Sequence, residues 1–249
     1  MRSLDAVRIA ALAKARQKAF LANTKGLNTY NSHPAFGLTT ELLVSYYREA
    51  ERGIPVRQFD TFDEVRETDG GLAGMLHGRI SAVSGCDWVL KPGRQDKPSE
   101  LAAAALEERL RYLPASVNYS PAPGKPGWGF REFLEHQLMA PHYGHSATNI
   151  VWDDEDGYIS PCMFINGPHR RFASPNHEKA DEIWLITGAA GQSVIDMMEL
   201  EPGLWAVTRA RGRNPWTAGT MRTCTWWAMI KRWSIRDWQI FAQMFGLPL

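Results

Sequence analysis

The apolar positions of this chain change their spacing twice, and the changes divide it into three stretches. From residue 38 to 143 they recur every three or four residues, the period of helices with one buried face. Leu42, Leu43, Tyr46, Tyr47 and Ala50 predict a helix capped by Thr39 or Thr40 and ended by Gly53 and Pro55. Phe59, Phe62 and Val65 predict a second over 57–68. Asp69 suits the N-cap of a third, carrying Leu72, Leu76, Ile80 and Val83 on one face. Gly70, Gly71, Gly74 and Gly78 weaken that helix by up to about 1 kcal/mol each, so packing rather than propensity has to hold it. Gly85 suits a left-handed C-cap, and Trp88-Val89-Leu90, closed by Pro92, reads as a short strand. Ser99 is placed to cap a helix with Leu106, Leu110 and Leu113 inward. Gly129–Tyr143 repeats the helical period, with Pro141 expected to distort its last turn.

After Gly144 the period shortens to two. Residues 147–152 and 158–165 alternate as the strands of a hairpin whose polar turn is Asp153–Gly157. Further strands are expected at 182–187 and 204–209. The helical period returns over 215–245, read as one long helix. Helices, then strands, then a helix argue an α+β chain rather than alternating α/β.

The 249 residues carry a net charge of +1, so no global attraction to polyanions follows. The charge is nevertheless uneven. Between Leu204 and Arg236 lie Arg209, Arg211, Arg213, Arg222, Lys231, Arg232 and Arg236, with no Asp or Glu. Six of the ten tryptophans fall in the last fifth of the chain. Cations before a polyanion with aromatics packed behind them are one reading of that segment. An amphipathic helix with a buried aromatic face and a solvated cationic one is the other. Residues 1–26 could form a basic amphipathic helix, lack the apolar core of a secretory signal, and no apolar run anywhere reaches 18 residues. Residues 114–127 hold four prolines and two glycines and read as a long connection. Cys86, Cys162 and Cys224 lie far apart and are expected to be inert thiols.

No catalytic constellation emerges. His136, His142 and His145 do not share a helical face, HExxH is absent, and helix-surface or loop positions are expected for them. His169 and His177 have no visible catalytic partner. Ser84-Gly85-Cys86 follows a helix, the wrong order for a nucleophile elbow. Gly188–Ser193 lacks the lysine of a phosphate loop and reads as a turn, and Asp153, Asp154 and Asp156 lack the glutamate of a calcium loop. The expectation is no enzyme, no metal and no cofactor.

Asp69, Leu72, Leu76, Arg79, Ala82, Val83, Asp87 and Trp88 together form a pattern that resembles the portal proteins of Mu-like tailed phages. Two further blocks agree in the same order. The first is 130–144 followed by Ile150-Val151-Trp152 and Pro168-His169-Arg170-Arg171-Phe172. The second runs from strand 204–209 through Asn214-Pro215, Gly219, Arg222, Trp226, Lys231, Asp237-Trp238 and Phe241 to Gly246-Leu247-Pro248. Asn149 departs from the pattern, where an acidic residue is usual. The resemblance implies a portal-like α+β subunit: an N-terminal arm (1–37), a helical wing region (38–152), a β-rich stem and clip (153–214) and a long stem-type helix (215–249). It implies a homo-oligomeric ring, a dodecamer in full-length members, at the head–tail vertex of the virion, with assembly in the host cytoplasm. Implied partners are the terminase large subunit, head–tail adaptor and capsid proteins, and double-stranded DNA held without sequence preference by the basic set; no membrane is involved. Asp69, Arg79, Trp88, Trp152, Gly219, Asp237, Trp238, Gly246 and Pro248 are the structural motif positions. Such portals continue for about as many residues again, so this chain reads as truncated relative to the family and, alone, as a poor ring former. A nucleic-acid-binding accessory protein using the basic helix directly is the alternative.

Overall fold

The computed structural model describes residues 38–115, 127–155, 158–176, 178–179, 181–187, 196–211 and 214–245. The arm 1–37, most of the proline-rich connection, the Gly188–Ser193 turn, Arg213 and the Gly246–Pro248 motif lie outside the described residues.

Three helices open the described part of the chain: α1 (Thr40–Glu51), α2 (Val56–Thr68) and α3 (Gly70–Ser84). The hydroxyl of Thr39 accepts from the Leu42 N–H and starts α1. Gly53, at φ +96, turns the chain after it and packs on Ser174, a left-handed conformation open to glycine without cost. Asp69 caps α3, its Oδ1 accepting from the N–H groups of Gly71 and Leu72. Leu72 and Leu76 are buried and Ile80 is half-buried, but Val83 is exposed. Gly85 is right-handed, at φ −84, which corrects the left-handed expectation. A glycine fits there for another reason: a Cβ would stand 2.8 Å from the Ser81 carbonyl oxygen.

Residues 88–90 are not a strand. Trp88 lies edge-on to Phe130, ring centroids 4.6 Å apart, beneath the Arg111 guanidinium, and the Leu90 N–H donates to Glu107. The segment is thus tied to helices α4 (Lys97–Arg111) and α5 (Gly129–Gln137), which satisfy it without a sheet. Asp96, not Ser99, caps α4, accepting from the Ser99 N–H. Leu110 and Leu113 are buried, whereas Leu106 is 40% exposed. Pro141 ends α5 early, since it offers no N–H to the preceding turn. A single helical turn, α6 (Ala140–Tyr143), follows and stops at Gly144, at φ +100.

The β-rich stretch forms two antiparallel sheets of three strands. In the first, β1 (His145–Glu155) lies between β2 (Tyr158–Asn166) and β6 (Trp205–Arg209). The register pairs Thr148 with Asn166 and Glu155 with Tyr158 on one side, and His145 with Arg209 and Asn149 with Trp205 on the other. A bulge at Val151/Trp152 sets Trp152 opposite Pro161, on the edge strand where a missing N–H is tolerated. Because β6 ends its pairing at Asn149, the outer half of β1 and β2 is a two-stranded ribbon. The second sheet joins β3 (Phe172–Ala173), β4 (Trp184–Ile186) and β5 (Met197–Glu199).

The C-terminal helix is two elements, α7 (Pro215–Ala218) and α8 (Met221–Phe245), broken at Gly219-Thr220. At the break Gly219 is extended, at φ −73 and ψ 138. Gly219 lies against the backbone of the α6 exit, and a Cβ on it would stand 2.4 Å from the His142 carbonyl oxygen. Phe59, Phe62, Leu72, Leu76, Tyr143, Ala147, Phe172, Leu185, Trp216 and Met221 belong to one core, so helices and sheets share an interior. Trp216 is fully buried; its indole N–H donates to Ser174 and its carbonyl accepts from Gln58. The architecture is α+β, as expected from the sequence. Among the described residues, no helix is long and apolar enough to cross a membrane.

Candidate nucleic-acid interface

Helix α8 presents its cations toward the first three helices. Its inner face buries Met221, Thr225, Ala228 and Met229, with Trp226 and Trp233 packed over Leu38, Leu43 and Tyr46. The neighbouring positions then face carboxylates. Arg222 pairs with Glu51 and lies over the Tyr47 ring, 4.4 Å from its centroid, while the Tyr47 hydroxyl donates to the Arg222 carbonyl at 2.5 Å. Lys231 Nζ stands 2.9 Å from Asp69 Oδ2. Arg232 donates to the Thr68 hydroxyl and stands 3.9 Å from Glu64. Among the described residues, Arg236 pairs with Asp237 beside it. The hydrogen bond from Lys231, ahead of those from the capped backbone, holds the Asp69 carboxyl below the usual range. One carboxylate therefore serves two ends: Oδ1 starts α3 and Oδ2 receives α8.

The remaining candidate cations behave differently. Arg209 and Arg211 are exposed at the end of β6. Neither takes part in an ion pair among the described residues. Arg209 shares a groove with Glu182 and Glu199, and Glu182 is engaged by Lys179 and by the Trp184 indole.

The motif positions are scattered over the surface and the helix junctions. Arg79 is exposed, and Trp152 is partly exposed with its indole N–H on the Gly203 carbonyl at 2.8 Å. Gly219 is buried at the α6/α7 contact, while Asp237 is solvent-exposed and Trp238 is 70% exposed. Trp227, Ile235, Trp238 and Phe241 stand out of α8 on the side away from the core.

Histidines expected on helix surfaces or loops lie in the interior instead. His136, His145 and His169 are grouped, with ring centroids 5.2 Å apart for His136 and His169 and 5.5 Å for His145 and His169. Phe59, Phe172 and Trp216 surround His145, and Tyr143 stacks on His169 at 4.1 Å. Burial pushes His136 down to about 4 and His145 down to about 3, and holds His169 well below its ordinary value. All three are therefore neutral at pH 7. No group of three His, Cys, Asp or Glu among the described residues is arranged to hold a metal. Beside them Tyr143 donates to Asp63 at 2.6 Å and Arg170 pairs with Asp60; burial raises both carboxyls. Sequence reading missed these groups because their partners come from other elements, 80 positions away for Tyr143 and Asp63 and 110 for Arg170 and Asp60.

A family model described as the portal protein of Mu bacteriophage matches residues 59–249. The Mu-like prophage FluMu protein gp29 of Haemophilus influenzae is 26% identical over 229 residues, covering 88% of this chain and 39% of that protein. The portal protein of Escherichia phage Mu is 26% identical over 222 residues, covering 87% of this chain and 39% of its own length. The chain thus spans about two fifths of the length of these relatives.

Proposed function

Because this chain belongs to the Mu bacteriophage portal protein family, we propose that it is a structural subunit of a phage portal, without catalytic activity of its own. In this reading copies assemble into a homo-oligomeric ring, a dodecamer for full-length members, at the head–tail vertex of the virion. Assembly takes place in the host cytoplasm, with the terminase large subunit, head–tail adaptor and capsid proteins as partners. Double-stranded DNA passes the ring and meets the basic segment that starts at Arg209, through phosphates rather than base edges. The helical part through residue 152 acts as the wing, 153–214 as stem and clip, and 215–249 as the stem-type helix.

One observation carries this reading: the family model matches residues 59–249, which take in most of the helical part, both sheets and α8. The tip of the β1–β2 ribbon, where Asp154 and Ile159 are exposed, supports a role for the clip in contacts between chains. Immunogold labelling of particles produced by the source phage or prophage tests the reading. Label at a single vertex is the expected result. Absence of the chain from purified particles, or label spread evenly over the head, would refute it.

A further inference from the structure

The basic segment contains two kinds of cation. On α8, Arg222, Lys231 and Arg232 each meet a carboxylate contributed by a different helix: Glu51 at the end of α1, Glu64 within α2 and Asp69 at the cap of α3. Lys231 and Arg232 grip the same corner, because Thr68 and Asp69 are the α2–α3 junction. Lys231 lies nine positions after Arg222, so the grips lie about 13.5 Å apart along the helix axis. Two points that far apart fix both the position and the rotation of α8. A cation already opposite a carboxylate releases few counterions to DNA, because phosphate would have to displace its partner first. Arg209 and Arg211, at the end of β6, are exposed; Arg209 shares a groove with Glu182 and Glu199, but neither arginine is in an ion pair among the described residues.

We propose that Arg222, Lys231 and Arg232 are an internal clamp that positions α8, and that the phosphate-facing cations of this segment are Arg209 and Arg211. The proposal rests on the portal reading for its DNA partner and on the geometry of α8 alone for the clamp. Lys231 is a positioning residue: through Asp69 it ties the start of α3 to the middle of α8.

The test measures two quantities on the full chain: affinity for a mixed-sequence duplex across a salt series, and the thermal midpoint. Arg209→Gln with Arg211→Gln is expected to lower the slope of log affinity against log salt by roughly 1 to 2, with the midpoint unchanged. Lys231→Met is expected to leave that slope unchanged and lower the midpoint by about 1–4 °C, with Lys231→Arg restoring it. Buried Met221, Ala228 and Met229 keep α8 seated in these variants, so loss of the clamp does not unfold it. A fall of the slope by about 1 in Lys231→Met, with the midpoint unchanged, would overturn the division. If the unaltered protein shows no salt-dependent binding, the DNA reading and the arginine assignment fail together. The clamp then stands or falls on the midpoint and its rescue by arginine.

Discussion

Asp69 shows how one side chain joins elements that are distant in sequence. Its role as a cap was legible, because Asp before a periodic apolar run predicts a helix start. Its second oxygen was not, because Lys231 lies 162 positions away and no local pattern marks the pair. Asp69→Ala is expected to destabilise the fold by about 1 kcal/mol for the cap and up to about 1 kcal/mol more for the exposed pair. Chemical denaturation against the unaltered chain measures the sum. A loss confined to a few tenths would show that the backbone satisfies the α3 start without it. The histidines give a second test. Their folded values lie below the ordinary 6.5, so the unfolded chain takes up protons first as pH falls. Stability is full above pH 6.5 and is lost below it, at up to about 1.4 kcal/mol per pH unit for each histidine. Asp60 and Asp63, whose carboxyls are raised, act in the opposite direction nearer their own range. His145→Phe, an aromatic among aromatics, should remove one histidine's share of the slope between pH 6.5 and 5. An unchanged slope would show that His145 gains no proton on unfolding in that window.

Among the elements, the helices with a clear apolar period were legible to within a residue or two, and their ends less so. Both Asp96 and Ser99 are cap types, and the signal that decides between them is Pro98, which belongs in a first turn begun by Asp96. Trp88-Val89-Leu90 has strand-like residues but no neighbouring strand; aromatic and carboxylate partners from α4 and α5 hold it. The break between α7 and α8 was hidden for a similar reason. Gly219 sits in an unbroken helical period, and the backbone of the α6 exit that packs against it in place of a side chain is distant in sequence. Gly219→Ala should therefore cost about 1–3 kcal/mol through overpacking, although its own φ of −73 accepts any residue. Thermal unfolding checks this, and a variant as stable as the parent would mean that the α6 exit yields freely.

At the scale of the whole molecule, the α+β division and the family resemblance were legible, while the fate of the charge was not. Counting signs between residues 204 and 236 finds only cations, yet three of them meet carboxylates from the first third of the described chain. The outer side of α8 is a different matter. Trp227 is 64% exposed and Trp238 is 70% exposed, an aromatic surface that favours association. Sedimentation should show self-association that rises with concentration, and the chain should bind a hydrophobic dye. Trp227→Ser with Trp238→Ser should reduce both, with stability within about 0.5 kcal/mol of the parent. Unchanged association would place the contact elsewhere.

Gly144 and Gly219 lie back to back, with a Cβ on Gly219 only 2.8 Å from the Gly144 nitrogen. The chain therefore leaves the helical body and returns to it at a single crossing. Everything between the two glycines is a closed excursion whose ends are already joined in space. Its base shares the interior through Ala147, Phe172, Leu185 and Trp216, whereas its far end is a ribbon with a small core of its own around Val151, Cys162 and Met163. Freedom to change thus grows with distance from the crossing. Residues added or exchanged between Asp154 and Ile159 lengthen the excursion without altering where it begins or ends, so related chains can reshape the outer end for new neighbours while inheriting the same body.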